Sequence, residues 1–191
     1  MPHVTLALGL LSGATFLDGR FADYQWNVDP RASLGVSAVA EAGRFSAGLR
    51  VTQSRTTQTI GIPDPGSSAA VHATSFELVG GARVARLAGF ALAATASGGR
   101  IHLGWSPDHV DATVGGTPVS VDFTSVDRWI GGGGLAVTRR LPGPWRAGLV
   151  VDRRFFTMDT AHRSGNSIVT GPRAFGDWNA RVELSWLLLG A

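Results

Sequence analysis

The sequence predicts an all-β fold of eight antiparallel strands, connected up and down and closed into one barrel that occupies residues 1–191. Three observations predict it: apolar and polar residues alternate in eight segments, helical apolar spacing is missing, and connections are alternately short and long. Closure is expected because an open eight-stranded sheet would leave two unpaired edges.

The last segment, "DWNARVELSWLLLGA", shows the alternation most clearly. Between Trp178 and Leu188 every second residue is apolar, and Asn179, Arg181 and Glu183 lie between them. Alternate residues of a strand face opposite sides, so one side of this strand is apolar and the other is charged.

The other seven segments repeat this pattern. A slip of register near Gly98 and Gly99 in the fifth segment is interpreted as a β-bulge. The predicted strands cover 4–16, 32–42, 45–52, 72–84, 89–105, 127–140, 145–156 and 178–188.

The connections predict which strand ends meet. Those after the second, fourth and sixth strands are short, whereas those after the odd-numbered strands are long and polar, as in "LDGRFADYQWNVDP" and "DTAHRSGNSIVTGPRA". All the long loops therefore lie at one end of the predicted barrel.

Composition excludes several classes of protein. The 191 residues suit one domain, the absence of Cys excludes disulfides, and no apolar run is long enough for a membrane helix. The start "MPHVTLALGLL" lacks the pattern of a signal peptide, so a mature or recombinant form is expected. All 17 basic residues are Arg and are scattered along the chain, so no nucleic-acid partner is expected.

Two features indicate that the apolar face points outward into lipid. The polar face is rich in Gly, which a narrow lumen needs to accommodate long charged side chains. The apolar face has aromatic residues near the strand ends, as in the aromatic girdles of membrane barrels. The predicted lipid-interface aromatics are Phe16, Phe45, Phe90, Trp105, Trp129, Trp145, Phe155, Trp178 and Trp186.

The charged side chains are accordingly expected inside, because an Arg facing lipid at mid-depth costs about 2–4 kcal/mol. They can pair and fill the lumen or form a gated polar path, and the narrow interior of eight strands favours filling. The predicted lumen charges are Glu41, Arg50, Glu77, Arg83, Arg128, Arg146, Asp152, Arg154, Arg181 and Glu183.

The stretch "WIGGGGLAVTRRLPGPWRAGLVVDRRF" resembles the sixth and seventh strands of the small eight-stranded outer-membrane β-barrels of Gram-negative bacteria, of the OmpA and OmpX type. The resemblance implies a transmembrane barrel in the bacterial outer membrane, with short periplasmic turns and long extracellular loops. It also implies contact with outer-membrane lipid and lipopolysaccharide. The C-terminal Leu189-Gly190-Ala191 departs from the family's usual terminal aromatic residue.

The function expected from this resemblance is structural, or an interaction with an extracellular or envelope protein through the four loops, rather than catalysis. No cofactor is expected. A small-solute channel and a soluble lipocalin-like barrel are the non-enzymatic alternatives.

The enzymatic alternative rests on "AHRSGNS", which is similar to the His-x-Ser-Asn stretch of lipid A deacylases. The resemblance implies that His162 is the base, Ser164 the nucleophile and Asp177 the orienting acid of an esterase. Gly165 interrupts the motif and the acid is Asp rather than Glu, so a polar surface loop is the preferred interpretation.

Two further motifs are interpreted as structural. His72 and His102 could meet near the loops and bind a metal with Asp122 or Asp127, but no spacing requires this and no metal site is predicted. The run Gly131 to Gly134 lacks the helix and Lys of a phosphate-binding loop, and close packing is the preferred explanation.

Overall fold

The computed structural model describes residues 4–59, 68–114, 117–164 and 167–188, with the backbone alone for 112–114, 117, 119, 161–164 and 167–169. Eight strands form a closed antiparallel barrel in the ring order β1-β10-β9-β8-β5-β4-β3-β2. They are β1 (Val4–Leu17), β2 (Arg31–Ala42), β3 (Phe45–Thr59), β4 (Ser68–Leu87), β5 (Phe90–Ser106), β8 (Val126–Arg140), β9 (Trp145–Ser164) and β10 (Ser167–Leu188).

The first and last strands close the ring. β1 pairs with β10 along its length, from Leu6 opposite Leu188 to Leu17 opposite Asp177. In the barrel wall each strand is therefore paired on both sides, which is the condition for strands to lie in a bilayer.

The two ends of the barrel differ as the sequence predicts. Short turns join β2 to β3, β4 to β5 and β8 to β9, and this end is called the turn end below. Gly43 (φ 60°) and Gly89 (φ 84°) occupy left-handed backbone positions in two of these turns. The opposite end carries the long connections and is called the loop end.

The strands extend further toward the loop end than the sequence pattern predicts. The polar stretch up to Thr59 continues β3, and most of the predicted loop after 156 is paired strand of β9 and β10. The predicted loop after β5 also contains a hairpin of β6 (His109–Val114) and β7 (Thr117–Asp122). Backbone hydrogen bonds hold these extensions together without apolar alternation, which is needed only where the outer face meets lipid.

The predicted bulge in the fifth strand is wrong. β5 pairs with β8 without interruption, so Ile101 and Leu103 follow Ser97 and Gly99 onto the inner face. The irregularity lies instead in β4, between Arg83 and Ala85, next to the turn.

An apolar cluster fills the loop end of the lumen. The 3₁₀-helix η1 (Gly19–Tyr24) folds into the barrel mouth, and the Phe21 ring stacks on Phe175 with their centroids 4.3 Å apart. Asp18 caps η1 by accepting the Arg20 backbone N–H, and the Arg20 side chain holds the pKa of that carboxyl at about 2. The loop-end cluster comprises Phe21, Trp26, Val71, Ile101, Leu103, Ile130, Phe156, Met158 and Phe175.

In the portions of the chain that the structure covers, no helix has the length and apolar character needed to cross a membrane.

Candidate functional site

The orientation of β10 shows which face of the barrel is the inside. The Arg181 side chain is fully buried, whereas Leu184 and Trp186 are 43% and 45% exposed on the outer surface. The soluble lipocalin-like alternative, which needs the apolar face inside, is therefore wrong.

Arg154 is the most connected charged residue of the lumen. Its Nε and Nη2 donate to the two carboxylate oxygens of Asp177, at 2.8 and 2.7 Å. Its Nη1 reaches Ser75 Oγ at 3.0 Å and Glu77 Oε1 at 3.2 Å. This bidentate geometry is the strongest arrangement available to an Arg and a carboxylate.

Arg50 extends the same network across the lumen. Its Nη2 donates to Glu77 Oε2 at 2.8 Å and its Nη1 to Asp152 Oδ2 at 2.9 Å, and Arg181 also donates to Asp152. Three arginines and three carboxylates thus neutralise one another, which is required of charges buried at membrane depth. The central network is defined as Arg50, Glu77, Asp152, Arg154, Asp177, Asn179 and Arg181.

Asn179 ties the central network to the first strand. Its amide donates to Asp177 Oδ1 at 2.8 Å, and its carbonyl accepts the Thr15 hydroxyl at 2.7 Å. Neither Asp177 nor Asn179 was predicted as part of the charged lumen. Their positions on the Arg181 side of the alternation are the signal that could have found both.

The remaining predicted lumen charges near the turn end are less buried. Arg146 pairs with Glu41, while Glu183 accepts hydrogen bonds from Ser37 at 2.7 Å and Ser185 at 3.0 Å. Arg83 donates to the backbone oxygen of Gly43 at 2.7 Å. These residues line a cavity of about 740 Å³ that lies between the central network and the turns.

Arg128 does not join the central network. It lies two residues from the loop-end start of β8 and pairs with Asp159 at 2.7 Å, where the two side chains are 32% and 73% exposed. Arg128 is opposite the buried Ile101 and therefore lies on the inner face, but at the barrel rim and outside the central network.

Trp105 is not a lipid-interface residue. Its indole N–H donates to Gln58 Oε1 at 2.8 Å, and its ring stacks on Phe123 with centroids 5.7 Å apart. The uninterrupted register of β5 turns it toward the loop-end cluster. The other predicted interface aromatics lie exposed on the outer face: Phe16, Phe45, Phe90, Trp129, Trp145, Phe155, Trp178 and Trp186.

Arginines on the outer face lie against these aromatic rings. The Arg153 guanidinium is 4.8 Å from the Phe155 ring centroid and 5.4 Å from that of Trp178. Arg139 lies 5.0 Å from the Phe90 centroid. Such contacts partly compensate a cation for the water that it loses at an interface.

The three residues of the esterase alternative are not brought together. Asp177 pairs with Arg154 in the register of β9 and β10, whereas His162 pairs with Val169, eight residues farther along β9. At about 3.3 Å per residue these positions are about 26 Å apart. Asp177 also binds Arg154, so it cannot orient His162; the side chains of His162 and Ser164 lie outside the described part.

The two histidines considered for a metal lie on the outer face of neighbouring strands. His102 Nδ1 is 3.1 Å from Asp127 Oδ1 across β5 and β8, and His72 is opposite Gly104. Among the residues whose placement is described, no group of three or more His, Cys, Asp or Glu side chains could hold a metal ion.

The β6–β7 hairpin carries a third histidine between two carboxylates. His109 Nδ1 is 2.6 Å from Asp122 Oδ1, and its Nε2 is 3.0 Å from Asp111 Oδ1. The hydrogen bond with Asp122 and the charge of Asp111 raise the pKa of His109 above its ordinary value of 6.5.

We expect the Arg154→Met variant to lose about 3–5 kcal/mol of unfolding free energy, because it leaves Asp177 and Glu77 buried with fewer cationic partners. The matched control is Arg153→Met, which faces outward and should cost at most about 1 kcal/mol. Urea unfolding in vesicles, followed by Trp fluorescence, measures both. Equal losses would contradict the central role of Arg154.

We expect the order of the β6–β7 hairpin to depend on pH. Because the pKa of His109 is raised in the folded hairpin, protonated His109 stabilises the hairpin. This stabilisation is fully present below the unfolded pKa and is lost as pH rises through the folded pKa. Backbone ¹⁵N relaxation at residues 109–111 should show this loss. A His109→Asn variant should abolish the pH dependence, and His72→Asn should retain it.

Comparisons with known proteins support the fold. No family model and no curated protein matches the sequence. Neisserial surface protein A superposes with a TM-score of 0.53 at 9% identity, covering 95% of this chain and 96% of that one. A major outer membrane protein from Thermus thermophilus gives 0.53 at 12% identity, covering 97% and 99%.

The solid-state NMR structure of outer membrane protein AlkL in lipid bilayers gives a TM-score of 0.54 at 14% identity, covering 100% of this chain and 92% of that one. At such identities the likeness shows the fold alone. With its closed ring of eight strands and its apolar outer surface, the chain has the fold of the small outer-membrane β-barrels.

Proposed function

We propose that this protein is an outer-membrane barrel whose lumen is closed to solutes by its own side chains and whose loop end contacts a partner protein at the cell surface. The observation that carries the first part is the central network. The second part rests on the β6–β7 hairpin and on the length of β9 and β10 that lies beyond the central network toward the loop end.

Two successive layers support closure of the lumen. The central network crosses the barrel between β3, β4, β9 and β10 with its guanidinium and carboxylate groups paired. Immediately toward the loop end, the loop-end cluster adds tightly packed rings, with Phe21 and Phe175 each only 1% exposed. An eight-stranded barrel is narrow enough for side chains to fill it.

The loop end offers a surface suited to recognition. The β6–β7 hairpin and the extensions of β9 and β10 project as regular strands, which can present side chains in fixed positions. Exposed carboxylates lie there, including Asp111, Asp122 and Asp159 at 78%, 83% and 73% side-chain exposure. His109 and Arg128 neutralise at most two of these three carboxylates, and the remaining negative charge favours an extracellular or envelope partner with a basic surface.

We expect the wild-type protein to show no steady conductance in planar bilayers. The double variant R154A/F156A removes one side chain from each closing layer and should admit ions at a measurable rate. The control R153A/F155A alters the adjacent residues that face outward and should stay silent. Steady channels from the wild-type protein would contradict closure.

We expect a photo-crosslinking amino acid at position 120, in the exposed hairpin, to trap an extracellular or envelope protein in living cells. The same group at position 87, exposed at the turn end, serves as the control and should not trap that protein. Absence of an adduct from position 120, or the same adduct from both positions, would contradict recognition through the loop end.

A further inference from the structure

The cavity at the turn end has the form of a binding site. Its volume is about 740 Å³, within the range of pockets that hold small ligands. Arg50 of the central network, itself 6% exposed, lines its inner end, and the turn residues Gly43, Ala88 and Gly89 line its outer end. A ligand would therefore enter between the turns and stop at the central network.

Positive charge is in excess around this cavity. Between the central network and the turns, its lining includes two carboxylates, Glu41 and Glu183. The arginines of the same lining are Arg44, Arg83, Arg86, Arg140 and Arg146.

Several of these arginines are already engaged, which identifies the ones that are available. Arg146 pairs with Glu41, and Arg83 donates to the Gly43 carbonyl. Within the described residues, the side chains of Arg86 and Arg140 have no hydrogen-bond or ion-pair partner, although both line the cavity.

The register places Arg140 directly opposite Arg146 on the inner face of β8 and β9. Like charges directly opposite one another destabilise a strand pair, and the carboxylate of Glu41 neutralises only one of the two. An anion between the turns would relieve this repulsion.

Between the arginines and the central network, the wall formed by β5 and β8 is small and uncharged, and Glu183 lies on the wall across from it. The wall of β5 and β8 includes Ala91, Ala93, Thr95 and Ala136. The cavity thus combines a cationic entrance with an uncharged wall of β5 and β8 behind it.

We propose that this cavity binds a ligand through a phosphate group, with Arg86 and Arg140 as the contacting residues. A phosphate monoester carries close to two negative charges, and the Arg guanidinium matches its oxygens with two parallel hydrogen bonds. The uncharged wall of β5 and β8 accommodates the uncharged remainder of the ligand. This goes beyond the proposed surface role, and its test is independent of conductance.

The phosphate could be free in the periplasm or part of a lipid headgroup, and titration calorimetry distinguishes the two. The full chain is placed in phosphatidylcholine nanodiscs and titrated with inorganic phosphate, with dihexanoyl phosphatidic acid and with dihexanoyl phosphatidylcholine. We expect binding of the phosphatidic acid and none of the phosphatidylcholine. At least tenfold tighter binding of the lipid than of inorganic phosphate assigns a headgroup, and comparable affinities assign a free phosphate.

Neighbouring residues on opposite faces supply the matched variants. Arg140→Gln should weaken phosphate binding at least tenfold, whereas Arg139→Gln, which removes the same charge from the outer face, should change it less than twofold. Arg86→Gln, beside a turn, repeats the test at a second position, and heat-modifiable gel migration verifies folding of each variant. Equal losses in R140Q and R139Q, or no binding of either phosphate compound, would overturn the proposal.

Discussion

The structure depends on one constraint: charged groups of a membrane-embedded barrel must find their counter-ions inside it. The central network satisfies this constraint at the middle of the lumen, where Arg50, Arg154 and Arg181 meet three carboxylates. The network residues lie on β3, β4, β9 and β10, and the Thr15 bond to Asn179 adds β1. Because each bond requires a particular register, the network also fixes how these strands are aligned.

β5 and β8 contribute no charged residue to the central network but contribute glycines beside it. On β8, a Cβ at Gly132 or Gly134 would overlap the backbone oxygens of Arg153 or Val151, and on β5 a Cβ at Gly99 would overlap that of Phe76. These glycines let neighbouring strands approach closely beside Asp152, Arg154 and Glu77. The lumen is thus divided between strands that supply long charged side chains and strands that leave room for them.

The predictability of each region follows from the period of its sequence. Where one face meets lipid, strict alternation between Trp178 and Leu188 correctly placed Arg181 and Glu183 on the inner face. Beyond the bilayer both faces can be polar, so the paired extension of β9 carries no such pattern and was predicted as a loop.

The loop-end cluster was missed for a different reason. Its inward Ile101 and Leu103 are apolar, so the assumption that apolar side chains face lipid misassigned them, and in β5 it produced a false bulge. Counting the alternation onward from Ser97 and Gly99 would have turned Ile101 inward. The counterparts Phe21 and Trp26 come from a connection whose path follows from no strand pattern, so their docking could not be predicted.

The lengths of β9 and β10, 20 and 22 residues, determine how far the molecule stands above the lipid. At about 3.3 Å per residue and a tilt near 45°, such strands rise roughly 50 Å, against an apolar band about 25 Å tall. The strand pair therefore extends about 20 Å beyond this band at the loop end. Its backbone pairing continues without interruption from the barrel wall. A partner that binds at the end of this extension contacts the protein beyond the lipid headgroups. A force applied there is transmitted through the paired backbone to the barrel wall.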